Sequence, residues 1–137
     1  MRARMRRLRR NAALIALFAA AASALLASPA SAAPPRMAYC SPTGDYCTSV
    51  YRTKSGAIRM RIATFSFRGA YRLCVIAPKR AQGKRARCKR FSVHRRGSVY
   101  VSDVGWRRHF PHRGRGIYRV AWFRFGNRLG PRLAFKI

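Results

Sequence analysis

The residues of this 137-residue chain that are best suited to chemistry are cations, and they lie in two dense clusters. The first cluster, residues 79–90, holds seven basic residues in twelve, and the second, residues 106–116, mixes four arginines with aromatic rings and two histidines. A guanidinium group presents a planar fork of donors that matches phosphate or carboxylate. Both clusters therefore predict binding of an anion. The candidate polyanion-binding residues are Lys79, Arg80, Lys84, Arg85, Arg87, Arg107, Arg108, Arg113 and Arg115.

The charge balance of the whole chain also indicates an anionic partner. Lys and Arg number 31, whereas Asp45 and Asp103 are the two acidic residues, so the formal net charge is +29. A surface with this imbalance attracts polyanions, and such binding weakens steeply with salt. We expect a non-enzymatic protein that binds an anionic polymer or surface: a cell-envelope polymer, a polyanionic glycan or nucleic acid. The alternative that the arginines reflect the codon usage of a GC-rich genome stays open.

Aromatic residues beside the cations suggest further partners. Trp106 and Phe110 lie in the second cluster, where rings can stack on bases or sugars, but both residues also suit a hydrophobic core. A membrane-active cationic toxin or defence protein is the main alternative function. It would need an exposed apolar patch next to the cations. The candidates for that patch are Phe65, Phe67, Phe123 and Phe125.

Catalytic and metal-binding patterns are weak. The chain contains no Glu, so a Ser-His-Asp triad would have to recruit Asp45 or Asp103. His109 and His112 have an H-x-x-H spacing without an evident third ligand. We therefore expect neither an enzyme nor a metal or other cofactor. A secreted basic nuclease that uses His94, His109 or His112 as acid and base is the less favoured alternative.

The first 32 residues have the composition of a secretory signal peptide. Six arginines lie within the first ten residues, an apolar run of 16 residues spans 12–27, and Ala30-Ser31-Ala32 fits a signal peptidase. A spanning helix would need roughly 20 apolar residues, more than this run has, so an uncleaved anchor is the less favoured alternative. Cleavage would leave residues 33–137 as one small domain with a charge of +23, because six of the 29 net charges are lost. We expect a secreted protein, extracellular or associated with the cell envelope, that contacts membranes at most peripherally.

Four cysteines, Cys40, Cys47, Cys74 and Cys88, lie in the predicted exported domain. An even number in a short secreted chain indicates two disulfides, for which three connectivities exist. Turn residues lie midway between Cys40 and Cys47, and again midway between Cys74 and Cys88. These positions favour the pairs Cys40–Cys47 and Cys74–Cys88. A four-cysteine zinc site is less favoured, because such sites commonly contain a C-x-x-C spacing and this chain has none.

The segments that position these residues alternate apolar and polar side chains with a period of two. Examples are residues 58–62, 71–75 and 118–122, and short turn sequences separate such runs. This pattern predicts an all-β, antiparallel domain of seven or eight strands after an N-terminal signal helix. The predicted strands are 37–40, 46–52, 57–65, 71–77, 87–94, 98–104, 117–125 and 132–137.

The segment Gly116 to Trp122 resembles a late strand of immunoglobulin-like and fibronectin-like domains. Its G-x-Y-x-V pattern consists of Gly116, Tyr118 and Val120, and the resemblance covers this one strand. In size, export signal and cysteine count, the chain also resembles small secreted two-disulfide sandwich proteins of high-GC bacteria, of which the neocarzinostatin-type chromoproteins are one. These resemblances imply an immunoglobulin-like sandwich and no particular ligand.

If the predicted strands alternate in direction, the connections 53–56, 78–86 and 105–116 emerge at one end of the domain. Most residues of the two basic clusters fall in the last two connections. The sequence therefore predicts a basic end.

Overall fold

A computed structural model describes residues 37–81 and 83–137. The predicted signal peptide, residues 1–32, and the boundary at residue 33 lie outside the described residues. Within the described part, the structure is all-β, which confirms the predicted fold class. The eight strands are β1 (Ala38–Cys40), β2 (Tyr46–Arg52), β3 (Ile58–Thr64), β4 (Gly69–Ile76), β5 (Ala86–Arg96), β6 (Val99–Gly105), β7 (Ile117–Arg124) and β8 (Asn127–Lys136), with one helical turn, α1 (Trp106–His109), after β6.

The eight strands form one antiparallel sheet in the order β1-β2-β3-β6-β5-β4-β7-β8. The long strand β5 joins its two halves, because residues 86–93 pair with β4 and residues 94–96 pair with β6. The predicted immunoglobulin-like sandwich is not confirmed, since the described strands make one nearly closed, barrel-like sheet and not two separate sheets.

The first and last strands approach each other and nearly close the sheet. Gly130 of β8 has a φ of 70°, and a Cβ at this position would overlap the ring of Tyr39 on β1. The absence of a side chain therefore lets the Tyr39 ring lie against β8. The register between β7 and β8 shifts between Val120 and Trp122, beside Gly130 and Pro131. The Gly-Pro pair is thus an irregularity inside a ten-residue strand. The sequence had suggested a shorter strand that begins after this pair.

The core lies inside this sheet and follows the period-two pattern. In β3, Ile58, Met60 and Ile62 are buried, whereas Arg61 between them is exposed. Tyr118, Val120 and Trp122 of β7 are buried in the same alternation. The apolar positions read from the sequence therefore form one core.

Both predicted disulfides are present, Cys40–Cys47 and Cys74–Cys88. In each pair the two cysteines are directly opposite on neighbouring antiparallel strands, Cys40 on β1 against Cys47 on β2, and Cys74 on β4 against Cys88 on β5. Each bond therefore fixes a hairpin. Disulfides of this kind indicate an oxidising environment outside the cytoplasm.

Candidate anion-binding site

Three connections meet at one end of the sheet, which we call the basic end. Neighbouring strands are antiparallel and the chain reverses at every strand, so the connections 53–57, 77–85 and 106–116 leave the same end. Gly116 packs against Pro78, where an added Cβ would stand 2.9 Å from two side-chain carbons. The segments that carry the two basic clusters are therefore in contact.

Buried rings anchor the connection 106–116. Trp106 is 1% exposed and packs edge to face against Tyr118 and Phe135, with ring centroids 5.0 and 5.3 Å apart. Phe110 is also buried, and its amide donates to the carbonyl of Trp106 at 2.8 Å. These rings belong to the core, so they are not available to stack on a ligand, which corrects one interpretation of the sequence.

The hydroxyl of Tyr118 fixes the second half of the same connection. It donates to the carbonyl oxygen of Gly114 at 2.8 Å and accepts from the amide of Arg113 at 2.8 Å. A buried ring with both hydroxyl functions satisfied by backbone holds a loop in one conformation. Arg115, which follows directly, is therefore presented from a fixed backbone.

A cleft of about 1040 Å³, which we call the basic cleft, opens between the turn 53–57, α1 and the last residues of β8. Residues 52, 55–59, 105–108, 115–116 and 136–137 line it. Six basic residues line it: Arg52, Arg59, Arg107, Arg108, Arg115 and Lys136. The cleft is therefore large and strongly cationic.

The basic residues of the cleft differ in what they already bind. The Arg59 Nε lies 2.8 Å from an oxygen of Asp103, so this carboxylate offsets part of its charge. Arg52 donates to the carbonyl oxygens of Gly56 at 3.2 Å and Lys136 at 2.7 Å, which are neutral acceptors. Arg52 is thereby oriented while keeping its net charge. Arg107, Arg108 and Arg115 are exposed, so the cleft retains a positive potential.

Asp103 is a carboxylate held by several donors beside the cleft. Arg59 and Arg61 each donate to it, with N–O distances of 2.8 Å, and the Tyr51 hydroxyl donates as well. Burial tends to raise the pKa of Asp103, but the hydrogen bonds from Tyr51, Arg59 and Arg61 outweigh it and lower the pKa. Asp103 therefore stays ionised and offsets part of the cation density.

The remaining predicted residues lie elsewhere on the basic end. Lys84, Arg85, Arg87 and Arg113 surround a crevice of about 10 Å³, which is too small for a ligand group. The Arg85 side chain donates to the carbonyl of Ala77 at 3.1 and 3.3 Å, so it closes the β4–β5 hairpin. Lys79 and Arg80 are exposed and line neither space. Of the nine predicted residues, Arg107, Arg108 and Arg115 line the cleft.

The sequence interpretation missed Arg52, Arg59 and Lys136. Arg52 ends β2 directly before the turn 53–57, and Lys136 ends β8 at the same end of the sheet. The predicted strand directions would already put Arg52 and Lys136 at the same end as the other cations. They escaped notice because each is a single cation at a strand end, outside the two dense clusters.

The three histidines do not form one group. His112 packs against Trp106 at 5.6 Å and accepts a hydrogen bond from the Gly114 amide, whereas His109 packs edge to face on Phe91 at 5.1 Å. His94 lines a groove with His109 and Asp103. Burial, together with Arg108 and Lys89, lowers the pKa of His109. His109 and His112 thus contact different partners.

No protein-family model matches this sequence, and no curated protein or solved structure was found to match it. Across residues 37–81 and 83–137, no three His, Cys, Asp or Glu side chains lie close enough together to hold a metal ion. In the same residues, no helix has the length and hydrophobicity needed to cross a membrane.

Proposed function

We propose that this protein is an exported, non-enzymatic domain that binds an anionic polymer in the basic cleft. The observation that carries the proposal is that six basic residues surround one open cleft, and Arg59 is the one that is paired with a carboxylate in the described structure. Three exposed arginines there offer planar forks to phosphate, sulfate or carboxylate groups. The positive potential would draw the polymer in, and release of its counterions would favour binding.

A polymer suits the site better than a small anion does. The cleft is open, and further exposed cations, Lys79, Arg80, Lys84 and Arg87, continue the positive surface along the same end. A chain with repeated anionic groups could contact both regions at once. Cell-envelope polymers, polyanionic glycans and nucleic acids share this chemistry, and the proposal is made for that class.

Export is part of the proposal. The two disulfides favour an oxidising compartment, and residues 1–32 have the order of parts of a signal peptide. We place the domain outside the cell or in the cell envelope. The test is the N-terminal sequence of protein recovered from the culture medium or wall fraction, which should begin at Ala33.

The binding test compares two variants of equal charge. Arg107→Gln/Arg108→Gln/Arg115→Gln removes three cleft cations, and Arg95→Gln/Arg96→Gln/Arg132→Gln removes three exposed cations elsewhere. Affinity for heparin and for polyphosphate is measured over a range of salt concentrations. The cleft variant should reduce the slope of log K against log salt by about 2 to 3, because three anionic contacts are lost.

In the control variant the slope should fall by less than half as much. Equal losses in both variants would mean that the whole surface binds diffusely, and the localised site would then be wrong. RNA incubated with the wild-type protein should keep its length. Cleavage that requires His94 or His109 would replace this proposal with a nuclease.

We also propose that the barrel-like sheet is a variant of the immunoglobulin-like fold. Two features support this relation: β2-β3-β6-β5 and β4-β7-β8 match the two sheets of that fold in order, and the Tyr118 hydroxyl binds backbone a few residues upstream, as in a tyrosine corner. Strand β5 would then be the strand shared between the sheets. Nuclear Overhauser contacts from β5 to both β4 and β6 would test this arrangement.

A further inference from the structure

At the end opposite the basic cleft, two phenylalanines point into solvent. Phe125 is 87% exposed at the β7–β8 turn, and Phe65 is 65% exposed in the connection between β3 and β4. Both connections leave the same end of the sheet, because strand direction alternates along the chain. We call this surface, residues 65–68 and 124–128, the phenylalanine end. Large exposed rings at a loop tip form an apolar surface that needs a partner.

The backbone at Phe125 disfavours a large side chain. Phe125 and Gly126 form a two-residue turn between the paired residues Arg124 and Asn127, with φ of 50° and 82°. Turns of this kind favour Asn-Gly or Gly-Gly, since both positions need positive φ. A phenylalanine is strained there and has no polar group to compensate. The turn therefore carries a ring that folding does not require.

An arginine lies against the Phe125 ring, and further arginines are exposed at the same end. The Arg124 guanidinium lies between two rings, 4.1 Å from the centroid of Phe67 and 4.7 Å from that of Phe125. Because the buried Phe67 lies in the same connection as Phe65, this stack joins that connection to the β7–β8 turn. Arg68 and Arg128 are exposed nearby, and Asp45 is the one acidic residue that the described structure places at this end. The surface is thus apolar at its tip and mainly cationic around it.

We propose that the phenylalanine end docks on the surface of a membrane that contains anionic lipids. The side chains of Phe65 and Phe125 enter the interfacial layer, while Arg68, Arg124 and Arg128 face the lipid headgroups. This proposal goes beyond polymer binding, because it concerns the opposite end and requires insertion of rings. A lipid surface is the partner that offers an apolar layer beneath negative charge.

Other occupants fit the surface less well. A second copy of this chain would bring the same positive charges into contact, which charge repulsion opposes. A soluble anionic polymer would satisfy the arginines and leave the rings in water. Charge complementarity together with the apolar tip therefore favours the membrane.

The experiment places a fluorescent reporter at each end of the molecule. Phe125→Trp puts an indole at the phenylalanine end, and Ile117→Trp is the matched control, because Ile117 is 45% exposed at the start of β7 on the basic end. The two native tryptophans, Trp106 and Trp122, are buried. Vesicles of phosphatidylglycerol and phosphatidylcholine carry bromine on their acyl chains, which quenches an inserted indole. The Phe125→Trp emission should shift to the blue and be quenched, whereas Ile117→Trp should show neither change.

A second variant measures the contribution of the rings. Phe65→Ser/Phe125→Asn should lower partition into anionic vesicles at least tenfold and leave heparin binding unchanged, since burying a phenylalanine contributes more than the roughly 1.4 kcal/mol that tenfold requires. An undiminished partition of this variant would contradict the proposal.

Two further outcomes separate the membrane site from the polymer site. If the Phe125→Trp variant binds vesicles and its emission is not quenched, cations alone hold the vesicle, and ring insertion is overturned. If the wild type binds heparin and does not bind vesicles, the membrane site is overturned and the polymer proposal stands.

Discussion

At the basic end the rings of Trp106 and Phe110 point inward and leave Arg107 and Arg108 exposed to solvent. At the phenylalanine end the arrangement is reversed, because Phe125 points outward and the Arg124 guanidinium lies against its ring. Both ends combine arginine with aromatic residues. Burial, and not composition, decides whether an end offers its cations or its aromatic rings to a partner.

The difference between the ends follows from how their loops are stabilised. The connection 106–116 is eleven residues long and is held by core rings and by the Tyr118 hydroxyl. Arg107, Arg108 and Arg115 are therefore not needed to hold the loop, and they project into solvent. The β7–β8 turn has two residues and no interior to fill, so a large side chain there has to lie outside. A long anchored loop therefore suits a cleft, whereas a tight turn suits a protruding tip.

Removing one ring at each end should give the largest contrast in stability. Trp106→Ala should lower the free energy of unfolding by about 3 to 5 kcal/mol, because it empties a buried site among Tyr118 and Phe135. Phe125→Gly should change it by less than about 1 kcal/mol, with relief of positive φ offsetting the lost ring contact. Urea denaturation measures both values, and similar losses in the two variants would break the comparison.

The two disulfides also lie at opposite ends and should contribute similar amounts. Cys74→Ala/Cys88→Ala, at the hairpin of the basic end, should cost about 3 kcal/mol, and Cys40→Ala/Cys47→Ala should cost about 2.5 kcal/mol, because the first closes the longer loop. Thermal unfolding of each variant provides the measurement. A cost below about 1 kcal/mol for either pair would mean that chain entropy does not explain its contribution.

A hydroxyl deletion tests the anchoring of the basic end alone. Tyr118→Phe should cost about 1 to 2 kcal/mol, because the Gly114 carbonyl and the Arg113 amide lose their partner. Amide exchange at Arg113 should accelerate. Tyr100→Phe, beneath Arg68 at the other end, is the matched control and should change little. Unchanged exchange at Arg113 would show that the loop is held by ring packing alone.

The smallest expected effect is the loss of folding stability at low pH. The pKa of Asp103 is lower in the folded protein than the usual value near 3.9, so its contribution to stability is present above that value and is lost as pH falls through the folded pKa. The free energy of unfolding should therefore decrease as the pH falls below about 4. In Asp103→Asn this decrease should be smaller. An unchanged loss of stability with acid in that variant would contradict the role given to Asp103.

Strand positions and disulfides could be predicted from the sequence because each depends on local order. The alternation at Ile58, Met60 and Ile62 defined β3, and turn residues between the cysteines defined their pairs. Closure of the sheet could not be predicted, since the contact of Tyr39 with Gly130 joins residues far apart in the sequence. Pairing of β5 with both β4 and β6 has no local signal either.

The site was predictable to a similar degree. Strand alternation predicted which connections share an end, and the structure brings Arg107, Arg108 and Arg115 together there. Which cations support the fold could not be read from the sequence, because the contact of Arg85 with the Ala77 carbonyl depends on the folded hairpin. The sequence also suggested four phenylalanines for an apolar patch. Phe65 and Phe125 are exposed, whereas Phe67 is buried and Phe123 lies beneath Arg72.

The central claim is that the two ends bind different partners, and a crossed binding measurement tests it most directly. The wild type, Arg107→Gln/Arg108→Gln/Arg115→Gln and Phe65→Ser/Phe125→Asn are each titrated with heparin and with anionic vesicles at the same salt concentration. We predict that the arginine variant loses mainly heparin affinity and that the phenylalanine variant loses mainly vesicle affinity. If both variants lose both affinities in the same proportion, the protein has one general cationic surface, and the assignment of separate partners to its two ends is wrong.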